Sequence, residues 1–154
     1  MSEDGSIFPV GMSRIPLYVF ILLLVSCGVS STPQRTAPPA NSKVIFIDPS
    51  VNPLAGIDPV RIKDAQQIGD FIVLDVSYSG GCEEHEFQLE TRGNFTSTYP
   101  PEVDVTLKHN NNGDRCRGLK DTKLWFDLTP LRYPGTNKVI LVLTNTDTTL
   151  DYNY

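Results

Sequence analysis

Basic charge, long hydrophobic runs and catalytic signatures are all scarce in this chain. Lys plus Arg number 13 against 18 Asp plus Glu. No broad basic field exists to gather phosphate backbones, and one Trp builds no base-stacking ladder, so nucleic acid is excluded as an expected partner. The longest apolar run, Ile15 to Val25, has eleven residues. A membrane-spanning helix needs about 20, so a permanent transmembrane anchor is excluded as well. There is no Gly-x-Ser-x-Gly, no phosphate-cradling loop and no His-Glu-x-x-His. The chain is not expected to be an enzyme, and no cofactor is expected. What is present suffices for folding: 40% hydrophobic and 20% charged residues over 154 positions, enough for one ordinary domain.

The address is written first. Ile15–Val25 has the length of a signal-peptide apolar region and is followed by Ser26-Cys27-Gly28. Leu24-Val25-Ser26-Cys27 resembles the lipobox of bacterial lipoproteins, in which cleavage precedes the cysteine and its thiol carries diacylglycerol. Residues 1–26 are therefore expected to be a lipoprotein signal peptide and Cys27 the lipidation site. Glu3 and Asp4 sit badly in a region that is normally positive, whereas Met12-Ser13-Arg14 begins a leader of ordinary polarity. Met12 is the expected start. Residues 27–42 hold Pro33, Pro38 and Pro39 among Ser, Thr and Ala, the composition of an extended stalk that at ~3 Å per residue spans roughly 40 Å.

From Lys43 onward the period is two. Ile72, Leu74, Val76 and Tyr78 alternate with Asp75, Ser77 and Ser79; Phe87 and Leu89 with Glu86, Gln88 and Glu90; Val103, Val105 and Leu107 with Asp104, Thr106 and Lys108; Leu124, Phe126 and Leu128 with Lys123, Trp125 and Asp127. Val44–Ile47 and Val139–Leu143 are continuous apolar runs, read as strands buried on both faces or near a sheet centre, and Leu150, Tyr152 and Tyr154 suggest a last edge strand. Gly80-Gly81, Arg92-Gly93-Asn94, Pro100-Pro101, Asn110–Gly113 and Pro134-Gly135 are chain-reversal chemistry. Residues 43–154 are thus expected to be all-β: an antiparallel, Ig-like β-sandwich, with a small β-barrel as the alternative. Val60–Ile68 is the one helical candidate.

Setting Cys27 aside leaves Cys82 and Cys116 as an even pair in a chain bound for an oxidising compartment, the context of a disulfide. If the strand near 84–90 runs antiparallel to the strand near 102–109, Cys82, His85, His109 and Cys116 gather at one end. His85 is in phase with Phe87 and Leu89, and His109 with Val103, Val105 and Leu107, so both point to the core side. Two sulfurs and two imidazoles are also ligands for tetrahedral zinc or for copper, and that reading stays open beside a disulfide and beside two free thiols.

Other groups carry weaker signals. Glu84, Glu86 and Glu90 fall on the solvent face of their strand, where carboxylates keep a sheet wet, and Glu83 precedes them. His109 to Asp114 offers oxygen ligands for calcium, but an Asn-Gly hairpin accounts for it more simply. Trp125 stands on a polar face, which implies either a covering insertion or a partner-binding patch.

Gly80-Gly81-Cys82-x2-His85-x-Phe87, His109-x3-Gly113-Asp114-x-Cys116 and Phe126-Asp127-Leu128-Thr129-Pro130-Leu131 together resemble a group of uncharacterised Gram-negative lipoproteins with one β-sandwich domain, of which the NigD-like lipoproteins are named relatives. The resemblance spans about residues 70–145. It implies an envelope location, and no catalytic residue carries over from it. NigD-like proteins also carry a small β-domain before the sandwich, for which the stretch between the stalk and Phe71 is too short. The expected protein is a lipid-anchored envelope protein, in the outer membrane, whose sandwich is a binding or structural module with an envelope protein or glycan as partner. The alternative is a periplasmic metal-binding protein using Cys82, His85, His109 and Cys116.

Overall fold

A computed structural model describes residues 39–52, 55–144, 146 and 148–154. The expected signal peptide, Cys27 and most of the expected stalk lie outside the described residues. The strands are β1 (Lys43–Val44), β2 (Phe46–Ile47), β3 (Arg61–Ile68), β4 (Phe71–Gly80), β5 (Glu86–Thr91), β6 (Glu102–Asn110), β7 (Gly118–Asp127), β8 (Lys138–Leu143) and β9 (Thr148–Asn153), with a single 3-10 turn, Thr129–Leu131, between β7 and β8. One sheet has the order β1-β7-β4-β3 and the other β2-β5-β6-β8-β9. The two pack face to face as a β-sandwich, not a closed barrel.

The alternation read from the sequence is what builds the core. Ile72, Leu74, Val76 and Phe126 of the first sheet meet Phe87, Leu89, Val103, Val105, Leu107, Val139, Leu141, Leu143 and Tyr152 of the second, all buried. Each large side chain so placed stabilises the fold by about 1.5–3 kcal/mol relative to an exposed one. The expected last strand exists as β9, and its Tyr152 is fully buried. The Tyr152 hydroxyl donates to Asp70 Oδ1 at 3.0 Å and accepts from Arg132 Nε at 3.3 Å, so a phenol at the core edge keeps its polar end satisfied. Burial, as the largest cause, pushes its pKa up to about 12.

Four expectations need correction. The sheets are mixed rather than wholly antiparallel, because β1 pairs β7, β2 pairs β5 and β6 pairs β8 in parallel. Between β6 and β8 the chain crosses to the other sheet and back, and two reversals restore the strand direction. For the same reason the Asn112-Gly113 turn, with φ of 52° and 76°, is not a hairpin: β6 and β7 lie in different sheets.

Val44–Ile47 is not buried on both faces. The chain changes sheets at Ile45, which alone of the four is buried, while Val44, Phe46 and Ile47 are exposed.

The helical candidate 60–68 is strand β3. A bulge between Ile62 and Asp64 inserts Lys63, so Ile62 (opposite Val76) and Ala65 (opposite Leu74) both face the core although they are three residues apart. A spacing of three imitates a helix. Lys63 then turns outward and bridges Asp75 and Asp121, each at 3.0 Å.

Candidate functional site

The sulfur and imidazole groups meet where β4 and β6 end and β5 and β7 begin. β4 finishes at Gly80, and a Cβ there would lie 2.4 Å from His85 Nε2, so only glycine lets the imidazole pack against the strand. Gly81 follows with φ of 123°, a backbone shape that L side chains rarely adopt. That turn aims three successive N–H groups at one point: Gly81, Cys82 and Glu83 donate to Asp114 Oδ2 at 2.8, 2.9 and 3.1 Å. The other oxygen, Oδ1, accepts from Cys116 N at 2.7 Å. Cys82 and Cys116 are joined by a disulfide with Cα atoms 5.9 Å apart, inside the usual range.

The histidines continue the same network inward. His85 Nε2 lies 3.1 Å from Asp114 Oδ2, and His85 Nδ1 lies 2.8 Å from His109 Nε2. His109 Nδ1 faces the carbonyl oxygens of Pro59 and Asp58 at 3.1 and 3.3 Å. The His85 side chain is 2% exposed, the Asp114 side chain 0% and His109 1%. The Phe87 ring stacks on His109 at 4.6 Å, and Tyr78 packs against both imidazoles.

The bonding partners fix where ring protons sit. Carbonyl oxygens only accept, so His109 Nδ1 donates to them. Four backbone N–H groups hold Asp114 as a carboxylate, led by Cys116 and then Cys82 and Glu83, with its pKa well below the usual carboxylate range. A carboxylate also only accepts, so His85 Nε2 donates to it. Burial, the largest influence on His109, pushes its pKa down.

The structure thus brings Cys82, His85, His109 and Cys116 to one end of the sandwich, as the strand reading expected. Chemically the arrangement is a lock. The disulfide closes the 80–85 turn onto the 111–117 loop, and the Asp-His-His chain ties that loop to the core and to the 58–59 segment. The sulfurs of Cys82 and Cys116 and a carboxylate oxygen of Asp114 lie within 4.8 Å of one another, the set that would remain for a metal if the disulfide were reduced. Asp114 sits at the centre, yet the sequence marked it only as the acidic end of a calcium-like loop and as part of the resemblance. The available signal was a carboxylate two residues before a cysteine facing a Gly-Gly turn with bare N–H groups. The Asn side chains of that loop bond locally: Asn110 Oδ1 accepts from Asn112 N and Asn111 Oδ1 from Gly113 N. Glu83, Glu84 and Glu86 are exposed, and Glu90 is half-buried with one carboxylate oxygen lacking a partner among the described residues. Trp125 is half-buried on the outer face opposite Val73, with its ring 6.2 Å from Phe71. Neighbours on its own sheet cover it, rather than an insertion.

Comparison with solved structures places the architecture. A NigD-like immunity protein from Bacteroides caccae superposes with a TM-score of 0.51 at 15% identity, over 71% of this chain and 58% of that one. The chain shares that protein's fold. It spans less than two thirds of that neighbour's length. A protein of unknown function (DUF1344) from Bacteroides vulgatus aligns at a TM-score of 0.49 and 20% identity, over 73% of this chain and 56% of that one. No family model matches the sequence. No curated protein matches it either. Among the described residues no helix is long and apolar enough to cross a membrane.

Proposed function

We propose that the chain is a lipid-anchored cell-envelope protein of the bacterial outer membrane whose disulfide-closed β-sandwich is a binding module. The observation that carries this reading is the Cys82–Cys116 disulfide. Disulfides persist in oxidising compartments, and this one uses both cysteines of the domain, leaving Cys27 behind the apolar leader as the remaining thiol for acylation. The fold shared with a protein named as NigD-like immunity protein supports a module that works by binding. Labelled palmitate tests the anchor: the native chain incorporates it and Cys27→Ser does not, and equal labelling of the two overturns the lipoprotein reading.

The second reading is a periplasmic metal-binding protein, favoured by the approach of Cys82, Asp114 and Cys116 and by His85 and His109 beside them. It requires the sulfurs as thiolates, with zinc or copper co-purifying in equimolar amount.

A further inference from the structure

The end of the sandwich opposite the disulfide carries a different chemistry. There the β5–β6 connection faces the segment that follows the 3-10 turn, and between them lies a cleft of about 240 Å³. None of its nine lining residues is charged. Two are tyrosines: Tyr99 is 82% exposed and Tyr133 41%. An aromatic ring left in water to that extent gives up its burial energy, and Tyr133 keeps one side of its ring against Phe95, with centroids 4.9 Å apart.

The loops that present these rings are held. Thr96 Oγ1 bonds Thr98 Oγ1 at 2.6 Å and accepts from Glu102 N at 2.8 Å. The Tyr154 hydroxyl accepts from Tyr133 N at 2.8 Å and donates to Tyr133 O at 3.1 Å, clamping the backbone of that residue. Thr136 Oγ1 accepts from Lys138 N at 3.1 Å. The backbone that carries these rings is fixed before any ligand arrives, which lowers the ordering penalty of binding.

We infer that this cleft binds a neutral sugar through the faces of Tyr99 and Tyr133. A pyranose presents C–H groups on its faces, which pack on aromatic rings, and hydroxyls at its rim, which pair with Ser97, the tyrosine hydroxyls and loop backbone. A cleft without charge offers nothing to a phosphate, a carboxylate or an ammonium group. Its volume lies just below the range of drug-sized pockets, which suits one or two sugar rings better than an extended peptide. The inference deepens the binding-module half of the reading above and is independent of the anchor.

Titration of the full chain in detergent with cellohexaose, maltohexaose, mannohexaose and chitohexaose tests it by calorimetry. At least one should bind saturably with Kd of roughly 0.01–1 mM. Tyr99→Ala should weaken that binding about tenfold or more, while Tyr99→Phe, which keeps the ring face, should stay within about twofold. Leu119→Ala, which truncates an exposed side chain elsewhere, should leave it unchanged. Tyr99 is exposed, so these variants should melt with the native chain. Absence of binding by all four sugars up to about 10 mM, equal binding by Tyr99→Ala, or displacement of the sugar by a deca-proline peptide overturns the inference. Palmitate labelling is untouched by any of these results, so failure here and failure of the anchor are separable.

Discussion

Asp114 holds Cys116 through one carboxylate oxygen, at 2.7 Å from its backbone nitrogen, while the other oxygen gathers the N–H groups of residues 81–83 across the disulfide. One buried side chain thus holds the backbone on both sides of the covalent bond. The disulfide then constrains the unfolded chain across a separation of 34 residues, a stabilisation of about 3–4 kcal/mol on the chain-entropy account.

Asp114→Asn is expected to destabilise the domain almost as much as Asp114→Ala. The amide places an N–H2 group against donors and removes the carboxylate that five N–H groups share. Gly80→Ala should act at the same point, because its Cβ cannot share space with the His85 ring. Thermal unfolding monitored by circular dichroism checks all three; Asp151→Asn, whose carboxylate bonds Lys138 at the surface, should be nearly silent.

Acid should weaken the fold in two stages. His109 has a folded pKa below its ordinary value of 6.5, so as pH falls through 6.5 the unfolded chain takes up a proton that the fold refuses. Asp114 has a folded pKa below 3.8, so its contribution is complete above that value and is lost as pH falls through the folded pKa. In both windows the unfolded state binds more protons, and stability must fall with falling pH. Melting temperature measured against pH should show both limbs, with the lower one reduced in Asp114→Asn.

The ring protons have their own readout. Nitrogen-15 spectra of the histidine side chains should show His109 protonated at Nδ1 and His85 at Nε2. A bare His109 Nδ1 or a bare His85 Nε2 would contradict the assigned bonding.

Tyr152→Phe removes the hydroxyl that bridges Asp70 and Arg132 but leaves the buried ring in place. Asp70 and Arg132 stay paired with each other, so a loss of about 0.5–1.5 kcal/mol is expected, measurable by urea denaturation with an unchanged m-value.

How much of this was legible depends on which residue is asked. Ile72, Leu74, Val76 and Phe126 announced themselves by strict alternation, because each lies in a regular stretch with one face on the core. Ile62 and Ala65 misled, because a bulge shifts the phase by one residue and bulges leave no mark in a periodicity. The parallel pairings were hidden since pattern reports which face a residue takes, not which strand lies beside it. At the disulfide end the residue types placed Cys82, His85, His109 and Cys116 together. The role of Asp114 depends on backbone N–H groups converging, and that convergence comes from the turn at Gly81 rather than from any side chain in the motif.

Cys82 and Cys116 are joined to each other, and in the proposed function Cys27 is the thiol left for lipid. A thiol titration of the denatured, unreduced Cys27→Ser chain decides the matter. No reactive thiol should titrate before reductant and two after it, with no stoichiometric metal in the purified protein. Two thiols titrating without reductant, above all with equimolar zinc or copper released on unfolding, would contradict it and transfer Cys82, His85, His109 and Cys116 to the metal-binding reading.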